Sequence, residues 1–133
     1  EKALPIDPTE WLVLYYLGEC YKKNGDFKTA EFYYRKIAIQ NPENKDKSEN
    51  SLKVLSFEMM DRGKKLCSEG KFKLGIEWLK KGQTLDPKEG LFSYHLGQCF
   101  EESGNKLIAQ KYYISFEQYL SMAEKQLSKK QDP

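Results

Sequence analysis

Residues 14–42, LYYLGECYKKNGDFKTAEFYYRKIAIQNP, carry the pattern that predicts the fold. Its marks are a leucine–glycine pair, a second glycine, a small residue, an aromatic residue and a closing proline, namely Leu17, Gly18, Gly25, Ala30, Tyr34 and Pro42. The same offsets return when they are counted from Gly63 and from Gly97, and in all three copies twelve positions separate this glycine from a small residue. Because several residue types agree at fixed spacings, the chain contains an internal repeat.

The period of the pattern identifies the repeat. Pro8 to Pro42 is 34 residues, and Gly63 to Gly97 is also 34. A Leu-Gly pair, a following aromatic residue, Ala-x3-aromatic and a closing proline in a period of about 34 residues resemble the tetratricopeptide repeat. The resemblance implies an all-α fold, in which antiparallel helix pairs stack as a right-handed α-solenoid with a C-terminal capping extension.

The resemblance divides the chain into three repeats within a single domain. Pro8 holds the closing position of a repeat, so the chain is expected to begin inside a preceding one. The predicted segments are 1–10 for the end of that preceding repeat, 11–44 for repeat one, 45–55 for an insertion, 56–89 for repeat two, 90–123 for repeat three and 124–133 for a C-terminal cap and tail.

Three residues of the first repeat have predictable local roles. Thr9 follows a proline and can act as the N-cap of the first helix. Gly18 lets the neighbouring helix approach closely, and Gly25 lies in the turn, where a positive φ suits glycine. The first repeat is therefore expected to form two helices joined by a tight turn at 24–26.

Eleven extra residues separate the first and second repeats, because their closing prolines are 45 positions apart, which is 34 plus 11. Asp46 with Glu49 three positions later resembles a capping box, and Leu52 and Leu55 continue the apolar face of the following helix. Eleven residues are close to three helical turns, so the first helix of repeat two, called helix A in each repeat, is expected to be lengthened at its N-terminus, projecting about 16 Å. The alternative is an ordinary surface loop at 45–55.

The third repeat lacks the closing proline. Ser121 stands in its place, so the last helix is expected to continue through Leu120, Ala123 and Leu127. The polar residues after Ala123 would then give the end of the solenoid a polar outer face.

The composition argues against several classes of partner. The 22 basic and 20 acidic side chains leave a net charge of +2, which gives no field to attract nucleic acid. No apolar run approaches 18 residues, so membrane insertion is not expected. Cys20, Cys67 and Cys99 lack CxxC spacing and are odd in number, which favours free thiols in a reducing, cytoplasmic compartment.

No catalytic pattern accompanies the repeats. His95 is the only histidine, and no nucleophile motif goes with it. The glycines occupy repeat positions rather than a phosphate loop, and no Cys/His spacing suits zinc. We expect no enzyme activity, cofactor, metal or small-molecule substrate.

The family resemblance also implies a binding surface. In that family the A helices line a concave groove that takes an extended peptide or a partner's helix, mainly through the second, fifth, ninth and twelfth positions of each repeat. Here those positions are Leu12, Tyr15, Glu19 and Lys22, then Phe57, Met60, Lys64 and Cys67, and then Leu91, Tyr94, Gln98 and Glu101. One edge of the groove would be apolar and the other mixed in charge, which favours a partner with an apolar ridge flanked by charge. The alternative is that the C-terminal extension or a further repeat covers this surface.

These observations predict a protein–protein interaction module with a scaffold or adaptor role and a protein or peptide partner. Two alternatives stay open: a chaperone or assembly subunit of a secretion or envelope complex, and a regulatory domain of a larger enzyme. A clamp for the carboxylates of chaperone tails is not expected. Family members with that clamp use Lys, Asn and Arg where this chain has Tyr15, Glu19, Asp61, Leu91 and His95.

Overall fold

The computed structural model describes residues 10–131, and over that range the chain forms six α-helices and no strand. The helices are α1 Glu10–Lys23, α2 Phe27–Gln40, α3 Lys45–Ser68, α4 Phe72–Leu85, α5 Leu91–Glu102 and α6 Lys106–Gln131, with a 3-10 turn at Pro42–Asn44. The all-α prediction is confirmed. The predicted N-cap Thr9 and the predicted end of a preceding repeat lie outside the described residues, apart from Glu10 in α1.

The chain forms two compact units, Glu1–Leu55 and Ser56–Pro133, so the boundary between them falls within α3. The first unit contains α1, α2 and the first half of α3, and the second contains the rest of α3 with α4, α5 and α6. Each unit is built around helices that follow one another directly in the sequence.

The first unit is organised by the contact between Gly18 of α1 and Tyr34 of α2. Tyr34 is fully buried, and a Cβ atom on Gly18 would lie 2.5 Å from Cε1 of the Tyr34 ring. A side chain on Gly18 would therefore force the Tyr34 ring or the helices to shift, because real Cβ contacts are essentially never shorter than 3.0 Å. The predicted close approach at Gly18 is therefore confirmed.

The second unit repeats this contact twice. A Cβ atom on Gly63 of α3 would lie 2.6 Å from Cγ of Leu79 in α4. A Cβ atom on Gly97 of α5 would lie 2.7 Å from Cε1 of Tyr113 in α6. In all three hairpins the large side chain follows its glycine by sixteen positions, so one packing rule recurs with the repeat.

The turns of the three hairpins also share one geometry. Each contains a glycine seven positions after the contact glycine, with φ of 84° at Gly25, 81° at Gly70 and 94° at Gly104. Side chains are strained in this left-handed region, whereas glycine adopts it readily. The positive φ predicted for Gly25 is confirmed.

The segment 45–55 is helical, so the alternative of a surface loop does not apply. It begins α3, and it does not project freely as predicted, because Ser48, Leu52 and Leu55 are buried within the first unit. The Ser48 hydroxyl donates a hydrogen bond of 2.6 Å to the Tyr34 carbonyl oxygen of α2. The predicted capping box is also wrong: α3 follows the 3-10 turn directly, which places Asp46 inside its first turn.

A disulfide joins Cys67 of α3 to Cys99 of α5, with Cα atoms 5.5 Å apart. The prediction of three free thiols is therefore wrong for this pair, whereas Cys20 is free and exposed. The two bonded cysteines are 32 residues apart, close to the repeat period, so they lie on the first helices of consecutive hairpins. A local spacing rule such as CxxC cannot detect that pairing, and the argument for a reducing compartment no longer holds.

Helix α6 continues past the position of the missing proline to Gln131, as predicted. Its middle part packs against the start of α5, where a Cβ atom on Gly90, the residue before that helix, would lie 2.1 Å from Cγ of Tyr119. Further along, α6 exposes apolar side chains as well as charged ones, with Met122 65% and Leu127 60% exposed. Within the predicted polar segment, residues 124–130 are all exposed, and their role as an end cap stays a prediction.

We predict that Gly75→Ala destabilises the second unit. A Cβ atom there would lie 2.4 Å from Cys67 Sγ and 2.8 Å from the Gly63 carbonyl oxygen. Overpacking costs about 1–3 kcal/mol and exceeds the helix-propensity gain of at most about 1 kcal/mol. Urea unfolding should therefore show a lower midpoint, whereas Lys73→Ala, at an exposed position of the same helix, should leave it nearly unchanged. An unchanged midpoint for Gly75→Ala would show that α3 and α4 can move apart freely.

Candidate functional site

A cavity of about 510 Å³ opens on the surface of the first unit. It is lined from α1 and from the start of α3 by Trp11, Leu12, Tyr15, Tyr16, Glu19, Lys22, Lys47, Asn50, Ser51 and Val54. The four groove residues predicted for the first repeat are all among these, so the structure brings them together on one surface. The residues from α3 belong to segment 45–55, which the sequence predicts to be an extension of this helix rather than part of the groove.

Aromatic rings form the α1 wall of this cavity. The ring centroids of Trp11 and Tyr15 are 6.1 Å apart, and those of Tyr15 and Tyr16 are 5.3 Å apart. Tyr15 also contacts the buried ring of Tyr34, at 6.2 Å between centroids. The wall is therefore held by the core of the hairpin, while Tyr16 remains 61% exposed.

The α3 wall is more polar and consists of Lys47, Asn50, Ser51 and Val54. These positions are spaced three, one and three apart, which places them on one face of a helix. The Lys47 ammonium lies 4.6 Å from the centroid of the Trp11 ring, a cation–π distance. Sequence reasoning missed this wall, although the helical spacing of the four residues was a signal that could have indicated it.

Glu19 is the acidic group of the cavity. It accepts a hydrogen bond from the Tyr34 hydroxyl and pairs with Lys22 at 3.0 Å. Partial burial alone would raise the pKa of Glu19, but the hydrogen bonds from Tyr34 and Lys22 outweigh it and leave the pKa below the usual value of 4.5. At neutral pH the Glu19 charge is thus neutralised by Lys22, and Lys47 presents a positive charge to the cavity.

The second repeat does not present its predicted residues in the same way. Met60 is only 4% exposed and belongs to a buried cluster with Leu79, Phe92 and Leu96, so its predicted place on an open surface is wrong. Phe57 packs against that cluster and is half-buried. The large side chains of α5 enclose Met60, which a repeat position alone does not reveal.

The third repeat divides its predicted residues between surface and interior. Tyr94 is half-buried, with its ring centroid 5.1 Å from that of Phe116 in α6. The side-chain amide of Gln98 donates to the Tyr94 hydroxyl at 3.2 Å. Leu91 is 37% exposed, and Glu101 is exposed. Helix α6 thus covers part of the apolar surface predicted for this repeat.

A second, smaller cavity of about 190 Å³ lies in the second unit. Lys64 and Gln98 line it, together with His95 and the two bonded cysteines. Burial lowers the pKa of His95 below its usual value of 6.5, so this side chain is neutral at pH 7. The two cavities differ accordingly: the larger one has an aromatic wall, and the smaller one is polar and borders a disulfide.

Two negative findings apply to residues 10–131. No group of three or more His, Cys, Asp or Glu side chains in that range is arranged to hold a metal ion. None of the helices in the described part of the chain combines the length and the apolar character needed to cross a membrane.

Comparison with known proteins gives one positive finding. A family model described as tetratricopeptide repeat matches residues 11–44. This segment carries the Gly18–Tyr34 contact and the α1 wall of the larger cavity. A search of curated proteins finds no match. The tetratricopeptide resemblance is confirmed, and it supports a general role in protein–protein interaction.

The environment of Tyr113 leads to a prediction about pH. Burial, the hydrogen bond of 2.8 Å from its hydroxyl to Glu101, and the charge of that carboxylate raise the pKa of Tyr113 from 10.0 to about 12. The folded chain then holds this proton more tightly than the unfolded chain. The contribution of the bound proton to the free energy of unfolding is therefore fully present below pH 10 and is lost as the pH rises from 10 to about 12.

The measurement is the ultraviolet titration of tyrosine ionisation, in which the difference between the wild type and Tyr113→Phe isolates this residue. Glu101→Gln should move its titration toward pH 10, and Glu117→Gln, at an exposed position of α6, should not. A Tyr113 that ionises near pH 10 would contradict the hydrogen bond to Glu101.

Proposed function

We propose that this chain, with its tetratricopeptide repeat at residues 11–44, is a non-enzymatic interaction module that binds an extended peptide or a partner's helix in a scaffold or adaptor role. The observation that supports the proposal is the cavity between α1 and the start of α3, which gathers Leu12, Tyr15, Glu19 and Lys22. These are the positions that the family resemblance assigns to ligand contact.

The size and lining of the cavity suit a few side chains of a peptide. Its volume of about 510 Å³ lies within the range of about 300–1,000 Å³ that is usual for ligand sites. Trp11, Tyr15 and Tyr16 offer large, rigid apolar surfaces whose ordering costs little conformational entropy. Asn50 adds an amide that can both donate to and accept from a peptide backbone.

The charge of the cavity favours one kind of partner. Glu19 is neutralised by Lys22, whereas the Lys47 ammonium is held over Trp11 at the edge of the aromatic wall. A carboxylate next to an apolar residue would meet Lys47 while the apolar side chain lies on the rings. The preferred ligand is therefore a peptide with an apolar anchor flanked by an acidic residue.

Selection from a library of random short peptides tests this proposal. The enriched peptides should combine an apolar residue with a neighbouring Asp or Glu. Selection with Lys47→Glu should disfavour peptides that carry the acidic residue. Selection with the control Lys45→Glu, at an exposed position of α3, should not. Tyr16→Ala should weaken binding of an enriched peptide about tenfold or more, because burying one such ring contributes about 1.5–3 kcal/mol.

The matched control is Phe32→Ala. Phe32 is 56% exposed, similar to Tyr16 at 61%, but it lies on α2 and does not line the cavity. Isothermal titration of the same peptide into both variants, each checked for unchanged helicity by circular dichroism, measures the difference. Equal affinity for the two variants, or enrichment of no peptide family, would contradict binding at this cavity.

A further inference from the structure

The smaller cavity of the second unit lies over the Cys67–Cys99 disulfide. Besides the two cysteines it is lined by polar side chains, Lys64, Ser68, His95, Gln98 and Glu102. Both cysteines belong to the buried apolar cluster of the second unit, as is usual for cysteine, so the polar opening borders one side of an otherwise apolar environment. The cavity is therefore the side from which a solute can approach the disulfide.

The two sulfur atoms are not equally accessible. Both cysteines line the cavity, but Cys67 is 5% exposed and Cys99 is fully buried, so Cys67 is the more accessible residue of the pair. On its other side Cys67 lies against Gly75, where a Cβ atom would be 2.4 Å from the Sγ atom. The cavity is thus the open side of an otherwise enclosed bond.

Charged groups of opposite sign flank the opening. Lys64 and Glu102 are both exposed and line the cavity, while His95, half-buried and hydrogen-bonded with Gln98 at 3.2 Å, carries no charge at neutral pH. An anion that approaches Cys67 is attracted by Lys64 and repelled by Glu102. Both effects should weaken with added salt, since exposed charges are screened.

We propose that Cys67 and Cys99 form a reversible dithiol–disulfide pair, and that this cavity is the site at which a small anionic thiol of the glutathione class reacts with it. The thiolate of one such molecule attacks Cys67 Sγ, the Cys67–Cys99 bond breaks, and Cys99 leaves as a thiolate that takes a proton from water. A second small thiol then attacks the sulfur atom that the first one contributed to the mixed disulfide. This releases Cys67 as a thiol and one molecule of oxidised small thiol. One disulfide and two small thiols are thus converted into two protein thiols and one small disulfide.

The consequence for the fold is confined to the second unit. Reduction removes the covalent link between α3 and α5 but leaves the apolar contacts of the buried cluster, in which both cysteines lie together with Leu79, Phe92 and Leu96. Because a cross-link stabilises mainly by restricting the unfolded chain, the reduced protein should remain folded but melt at a temperature lower by about 10 °C. The pair would therefore set the stability of the second unit according to the thiol–disulfide balance around it.

The experiment measures reduction of the disulfide by reduced glutathione in the full chain. All variants carry Cys20→Ser, so that the exposed free thiol does not react. At low salt Lys64→Gln should slow the reduction and Glu102→Gln should accelerate it, each by about two- to threefold, and both differences should shrink at high salt. Lys65→Gln is the matched control, because Lys65 is exposed beside Lys64 on α3 but lines a different cavity.

Alkylation during the reaction, followed by peptide mass mapping, should locate the mixed disulfide on Cys67. Three results would overturn the proposal. Titration of both cysteines as free thiols after treatment with oxidised glutathione would show that the pair does not form. A mixed disulfide on Cys99 would refute the direction of attack. Equal rates in all variants, increased together by urea, would show that reduction requires unfolding and that the disulfide is a static cross-link.

Discussion

A glycine on the first helix of each hairpin lies directly against a large side chain on the second, and the rest of the structure depends on this contact. The pairs are Gly18 with Tyr34, Gly63 with Leu79 and Gly97 with Tyr113. Because the glycine has no side chain, the large side chain packs directly against its backbone, which brings the two helices close enough for dense packing. The turn glycine seven positions later lets the chain reverse within a few residues, so two glycines per repeat determine the hairpin.

In the first unit the same contact positions the candidate binding site. The Tyr34 ring supports Tyr15, its hydroxyl donates to Glu19, and its carbonyl oxygen accepts from Ser48 at the start of α3. Both walls of the larger cavity are therefore held by one buried residue. A site supported in this way is pre-organised, so a ligand would not have to order its walls on binding. The groove that we propose is in this sense a consequence of hairpin packing.

The sequence was sufficient where the information repeats. The fixed offsets of glycine and aromatic residues predicted the helices, the turn at Gly25, the close approach at Gly18 and the surface that gathers Tyr15 and Glu19. It was insufficient where contacts join different hairpins or depend on the eleven-residue insertion. The Cys67–Cys99 bond, the burial of Met60 and the packing of Ser48 each require knowing which faces meet across more than ten residues, and no local pattern contains that information.

The most direct test of the central claim is a double-mutant cycle between Gly18 and Tyr34, measured by urea unfolding with Trp11 fluorescence in a Trp78→Phe background. The three nearest neighbours of a Cβ atom on Gly18 are all atoms of the Tyr34 ring, so Gly18→Ala should be strongly destabilising alone and much less so after Tyr34→Ala. We predict that the double mutant is more stable than the sum of the single mutants implies, by about 1 kcal/mol or more. Additive effects would show that this contact does not determine how the helices pack.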